Sequence, residues 1–141
     1  MEERITTAGI LIIDGRFLIA KRIESGSIGG MWEFVGGKNR WGESEEETLK
    51  REFDEELGLA IEVEGLIHAH HFTNKGTPYH LKAYVVRLIS AFKPRLSVHT
   101  ELRWVALTEL EGFPMADSDR AIVQTLLSAF SEEHSVVTSD S

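Results

Sequence analysis

Residues 37–59 read GKNRWGESEEETLKREFDEELGL, and the arrangement of the whole chain turns on this stretch. Neither proline nor glycine interrupts Glu43 to Leu57, and Leu49, Phe53 and Leu57 recur at i, i+4 and i+8. That spacing predicts a helix with one apolar stripe. Gly58 is its expected C-terminal stop. Between Glu43 and Glu56 stand eight acidic residues against two basic ones, Lys50 and Arg51, a net charge of −6 in 14 positions. At about 100° per residue, with Leu49 as origin, the apolar stripe centres near about 40°. Glu56 then lies at about −20°, Glu52 at about −60° and Glu55 at about −120°. Glu45, Glu46 and Glu47 read as solvent-facing, whereas Glu56 borders the buried stripe.

Carboxylates crowded at the core edge of a helix repel one another and lose hydration unless something compensates. A hard divalent cation, bound by carboxylate, carbonyl and water oxygens, has the right chemistry. Glu52, Glu55 and Glu56, at i, i+3 and i+4, are close enough to share it. Gly36 and Gly37 allow backbone carbonyls to approach the same ion, because glycine interposes no side chain. Arg51, four residues before Glu55, is a candidate to hold a carboxylate in place through a bidentate contact. A salt-bridged surface helix, with Glu46–Lys50 and Glu47–Arg51 pairs, is the alternative.

Outward from this segment, Ile5 to Ile13, the turn signal Asp14-Gly15 and Phe17 to Ala20 read as a strand hairpin. Ser25 to Gly30 is expected to be a mobile glycine-rich loop, and Trp32 to Val35 a short strand. Beyond the helix, Ile61, Val63 and Leu66 to Ala69 are β-like, Asn74 to Pro78 supplies a turn, and Tyr79 to Ile89 is a second long strand. Leu102 to Ala106 is another strand, and a final helix is expected from about Asp117 to Phe130. The order β-β-β-α-β-β-β-α predicts an α/β architecture in one domain, residues 1–131, with a frayed tail at 132–141.

The chain has 141 residues, no cysteine, 42% hydrophobic residues and a net charge of −8. A chain this long buries roughly 68–70% of its unfolded surface, enough for one core without staples. The missing cysteine excludes a disulfide scaffold. The longest apolar stretch, Ala8 to Ile13, falls far short of the roughly 20 residues of a membrane helix. With no secretory pattern in residues 1–15, a cytoplasmic location is expected. The acidic balance disfavours polymeric nucleic acid. It is compatible with a small phosphate ligand, because a bound cation reverses the local field.

Gly37, Glu43 and the run Arg51-Glu52-Phe53-Asp54-Glu55-Glu56-Leu57-Gly58-Leu59 resemble the Nudix box of the Nudix hydrolases, with Phe53 at a usually aliphatic position. Trp32-Glu33-Phe34-Val35-Gly36-Gly37-Lys38 is similar to the WEFPGGK segment of the MutT-like branch, with Val35 replacing proline. Leu18 to Arg22, Arg103-Trp104-Val105 and Phe113 to Arg120 resemble further parts of that branch.

The resemblance implies the Nudix fold, a mixed β-sheet sandwiched between helices (α/β/α). It also implies Mg²⁺-dependent, or Mn²⁺-dependent, hydrolysis of a nucleoside triphosphate to the monophosphate and pyrophosphate, on oxidised or noncanonical nucleotides among others. Other nucleoside diphosphate conjugates, or a ligand sensor without turnover, are the alternative readings. Carried over, Glu52, Glu55, Glu56 and the Gly36 carbonyl become metal ligands; Arg51 orients Glu52 or Glu55; Glu43 braces loop and helix. Val98 occupies a position where the branch often has glutamate, which leaves Glu52 as the favoured base, with His99 or Glu101 as substitutes. Arg22 and Lys38 are candidates for the phosphates, or else solubilising charges. Phe34 or Trp32 is a candidate to lie against the base, or else core. Asp119, before Asp117, is a candidate to read the base, or else a helix cap. His68, His70, His71 and His80 have no zinc-like spacing and read as strand or surface residues. The substrate is a small nucleotide, with the protein a monomer or homodimer.

Overall fold

The computed structural model describes residues 2–23 and 29–139, with side chains described through Phe130. The loop expected at Ser25 to Gly30 therefore lies mostly outside the described residues. Strands β1 (Arg4–Ile13) and β2 (Arg16–Arg22) form the expected hairpin, with Asp14 and Gly15 at φ of 52° and 75° in the two-residue turn. β3 (Trp32–Glu33), β4 (Gly36–Lys38), α1 (Glu45–Leu57), β5 (Ile61–Asn74), β6 (Thr77–Leu88) and β7 (His99–Ala106) follow. A 3₁₀ turn (Leu107–Gly112) leads into α2 (Asp117–Ser139).

β1 organises the sheet. One of its edges pairs in parallel with β6, and the other is shared by β4, beside Thr6 to Ala8, and β2, beside Ile12 and Ile13. β2 carries β3 and β7 in turn, while β5 closes the far edge on β6. Side-chain alternation along β1 and β2 divides the core in two. Ile10, Phe17 and Ile19 pack with Ile122, Val123 and Leu126 of α2; Leu11, Leu18 and Ala20 pack with Leu49, Phe53 and Leu57 of α1. The sheet is thus covered by a helix on each face, as the resemblance implied.

Several boundaries differ from the sequence reading. The strand expected at Trp32 to Val35 ends at Glu33, and a second short strand begins at Gly36, because the chain leaves β2 and crosses to β1 at this point. Gly36 permits that crossing: a Cβ there would lie 2.1 Å from the Thr7 carbonyl oxygen. β5 runs to 14 residues, and register shifts after Val63 and Leu66 explain why its alternation looked loose. The turn is only Lys75-Gly76, both at positive φ. Pro78 is already in β6, next to Tyr79 where pairing with β1 begins, so its missing N–H costs no bond to that strand. α2 continues to Ser139, beyond the Phe130 limit and into the segment expected to fray; no glycine or proline follows Phe130 to stop it. Among the described residues no helix is long and apolar enough to cross a membrane.

Candidate functional site

α1 begins one residue after the Ser44 cap. The Ser44 hydroxyl accepts from Glu47 N–H while the Glu47 carboxylate accepts from Ser44 N–H, a reciprocal capping box. Gly58 ends the helix at φ 67°, donating to the carbonyls near its C-terminus. Glu43 therefore lies just outside the helix, where it meets Arg51 inside it. Arg51 donates to both Glu43 oxygens at 2.6 and 3.0 Å, to Glu52 at 2.6 Å, to Glu55 at 3.4 Å and to the Lys38 carbonyl at 3.1 Å. The Glu47–Arg51 surface pair does not form, because both side chains are committed elsewhere; Glu46–Lys50 does, at 3.3 Å. Thr48 and the Arg40 N–H also donate to Glu43. The Arg51 contact leads in holding the Glu43 carboxyl down at about 2.

The burial order along α1 follows the angular reading: Glu56 is 8% exposed, whereas the Glu55 side chain is 50% exposed. Burial, with the neighbouring Glu52 and then Glu33, pushes the Glu56 carboxyl well above its usual range. Its Oε1 is buried without a hydrogen-bond partner. A Cβ on Gly37 would sit 2.6 Å from the Glu52 carboxyl carbon, so this glycine leaves the space that Glu52 occupies. Glu52, Glu55, Glu56, Gly36, Gly37, Lys38 and Arg22 line one open cleft of about 470 Å³. An orphaned buried carboxylate oxygen beside two further carboxylates is a donor set that fits a hard divalent cation.

A second cavity, about 640 Å³, opens beyond Arg22 and is lined by Trp32, Glu33, His70, Phe72, Asp117 and Asp119 among others. Asp119 is half-buried and accepts the Phe34 N–H at 3.1 Å. Burial, then the Glu33 charge, pushes its carboxyl up to about 7. Phe34 is 3% exposed within the α2-side core and is not among the residues lining this cavity, whereas Trp32, in the same core and 6% exposed, borders it. Of the two aromatic candidates for the base, Phe34 is therefore core, and Trp32 borders the cavity together with Phe72. Lys38 lies at the cleft rim with its Nζ 5.6 Å from the Tyr79 ring centre.

Two residues link the spaces. Glu33 accepts from Arg22 at 3.2 Å, and its carboxylate lies 2.8 Å from His99 Nε2, which is itself 3.7 Å from Glu56 Oε1. His99 is 3% exposed at the start of β7, not in a solvated loop. Glu101 is instead paired with Arg103 at 2.7 Å on the exposed side of β7. Val98 lines the cleft and contributes no donor from its side chain. The sequence reading gave Glu33 no role; its one available signal was a carboxylate set between Trp32 and Phe34. His68 bonds Thr125 at 2.6 Å and His70 at 2.7 Å, so these two histidines support the cavity wall from α2.

A glycine-bearing strand and an acidic helix, braced by one arginine on an α/β/α frame, form a cleft whose donor set suits a divalent cation. The NUDIX domain profile matches residues 7–125. A CTP pyrophosphohydrolase of Escherichia coli (strain K12) is 32% identical over 122 residues, covering 85% of this chain and 88% of that protein. A Mycobacterium tuberculosis (strain H37Rv) protein provisionally named 8-oxo-dGTP diphosphatase 2 is 34% identical over 128 residues, 89% of each chain. Among solved structures, a MutT NUDIX hydrolase from Burkholderia pseudomallei superposes with a TM-score of 0.77 at 28% identity, covering 89% of this chain and 98% of that one. The chain belongs to the Nudix family of hydrolases, in its MutT-like branch. The divalent cations that such hydrolases generally need match the donor set of the cleft.

Proposed function

We propose that the protein is a Mg²⁺-dependent nucleoside triphosphate pyrophosphohydrolase, converting NTP and water to NMP and pyrophosphate, with oxidised or noncanonical nucleotides among its substrates. One observation carries this reading: Arg22 lines both the carboxylate cleft and the cavity holding Trp32 and Asp119. That adjacency supports a reading in which the phosphates and the base of one nucleotide lie side by side. The names of the E. coli and M. tuberculosis relatives support the same chemistry.

Glu52, Glu55, Glu56 and the Gly36 carbonyl would hold the ion, which would neutralise phosphate charge and lower the pKa of bound water. Mn²⁺ meets the same oxygen donors. Arg51, fixed by Glu43, holds Glu52 in position. Arg22 and Lys38 donate to the phosphates. Water adds to one phosphorus of the α–β anhydride, the bridging oxygen leaves with the other, and the water proton passes to Glu52. Asp119 reads the base by hydrogen bonding. With its carboxyl raised to about 7, it offers both a donor and an acceptor near neutrality. The test is pyrophosphate and phosphate release from a nucleotide panel with Mg²⁺, beside Glu52→Gln and Glu56→Gln. Pyrophosphate release lost in both variants is expected. Equal activity in the variants sinks the site assignment, and tight binding without cleavage replaces the enzyme by a sensor.

A further inference from the structure

His71 and His80 are nine residues apart in sequence, in a spacing with no metal-binding pattern. The β5–β6 register makes them direct cross-strand partners, with rings stacked at 15° and centroids 4.0 Å apart. Parallel pairing of β1 with β6 adds a third group: Ile5 lies beside His80 and Arg4 beside Tyr79, which brings Glu3 to the same corner. The Glu3 carboxylate lies 2.5 Å from His71 Nδ1. One donor atom from each of Glu3, His71 and His80 falls within 4.8 Å of the others.

The geometry points to a second metal site here, taking a borderline transition cation of the Zn²⁺ class. Two imidazole nitrogens and a carboxylate oxygen suit such an ion, whereas Mg²⁺ prefers an all-oxygen shell. Ligands around tetrahedral Zn²⁺ lie roughly 3.4 Å apart, given metal–ligand distances of about 2.0–2.1 Å. Ligation requires the His71 ring to turn out of its stack with His80 so that both in-plane lone pairs meet the ion, and the Glu3 and His71 side chains, 41% and 64% exposed, have solvent to turn into. The ion takes the place of the His71–Glu3 hydrogen bond, with His71 ligating through Nδ1 as the neutral Nε2–H tautomer. Solvent completes the coordination on the exposed side.

The site would act as a clip. Glu3 precedes the central strand, and its attachment to the β5–β6 hairpin fixes the end of β1 whose Ile5 carbonyl accepts the Asn39 N–H at 2.9 Å. The clip shares no residue with the acidic cleft.

ZnCl₂ titrated calorimetrically into the full chain, with Mg²⁺ in excess to occupy the acidic cleft, is expected to bind one ion per chain and raise Tm. His71→Ala and His80→Ala should each weaken binding by more than about tenfold and abolish the Tm rise, with Glu3→Gln weakening it less. Glu56→Gln should leave it unchanged. Co²⁺ should give a visible absorption band that His71→Ala removes. Circular dichroism of each variant checks that the fold is intact. Absence of binding to the wild type overturns the inference, as does Zn²⁺ affinity unchanged by both histidine variants or lost in Glu56→Gln.

Discussion

Beside α1, the acidic cleft takes all its carboxylates from one helix, and the glycines facing them lie no more than 20 positions earlier. Beside α2, the larger cavity gathers residues from the end of β2, from β3, from the hairpin end of β5 and from the start of α2. The contrast separates two tasks. Charge neutralisation needs a few carboxylates at fixed mutual angles, which one helix provides. Discrimination between ligands needs walls facing one another, which distant segments must assemble. Variants on the α1 side should therefore slow every substrate alike, and variants on the α2 side should reorder substrates.

The largest effect is expected at Glu56. Glu56→Gln should lower kcat on all cleaved nucleotides by about 10³-fold, equivalent to about 4 kcal/mol. Its Tm should not fall, because a neutral amide replaces a carboxyl that burial already drives toward its neutral form. A loss confined to some nucleotides would break the division of labour between the two spaces. Gly37→Ala comes next. The new Cβ would lie 2.8 Å from both Glu52 carboxylate oxygens, so Glu52 must turn away from Arg51. A kcat decrease of about 10–100-fold with little change in Tm is expected, since misplacement near 1 Å can cost that much. Unchanged kinetics would mean that the position of Glu52 is immaterial.

The α1 half of the molecule was legible because helix periodicity alone orders Glu56, Glu52 and Glu55 by burial, and the structure keeps that order. Arg51 was legible as a brace, but its main partner was not. Glu43 reaches it only because the Ser44 cap ends the helix just short of Glu43. Long-range placement hid the rest. His99 became a buried neighbour of Glu33 and Glu56 through the β2–β7 register, and Phe34 is taken into the core packed against α2, a contact between distant segments. The pairing of His71 with His80 follows from the two-residue turn at Lys75-Gly76, with which its register is continuous, and is invisible to a rule that counts spacing along the chain.

Phe53 gives a smaller test of how far that local legibility extends. The structure accommodates its ring opposite Gly9 on β1, where a Cβ would approach Phe53 Cε2 to 2.5 Å. The ring is fully enclosed, so Gly9→Ala should cost about 1–3 kcal/mol by overpacking. In a Phe53→Leu background the same change should cost less, by a coupling of 0.5 kcal/mol or more, roughly, in denaturant unfolding. Additive losses would separate the two positions and leave the aromatic residue in the box without its structural partner.

Asp119 gives the smallest expected effect and probes the α2 side. Its carboxyl rises from 3.8 to about 7, chiefly through burial. Between those values the native protein keeps a proton that the unfolded chain has released, so the stability this proton linkage confers is full below about pH 4 and is lost as pH rises through 7. Asp119→Asn lacks that slope. The stability difference between wild type and variant should therefore shift against the wild type from pH 5 to 8, by about 1–2 kcal/mol after allowing for the solvent that reaches a half-buried side chain. In the nucleotide panel, the same substitution should change the ranking of bases without a uniform loss of rate. Parallel stability curves would show a carboxyl in contact with bulk water. An unchanged ranking would leave it as the acceptor for the Phe34 N–H alone, and the reading of the base would fall to the other residues around the cavity.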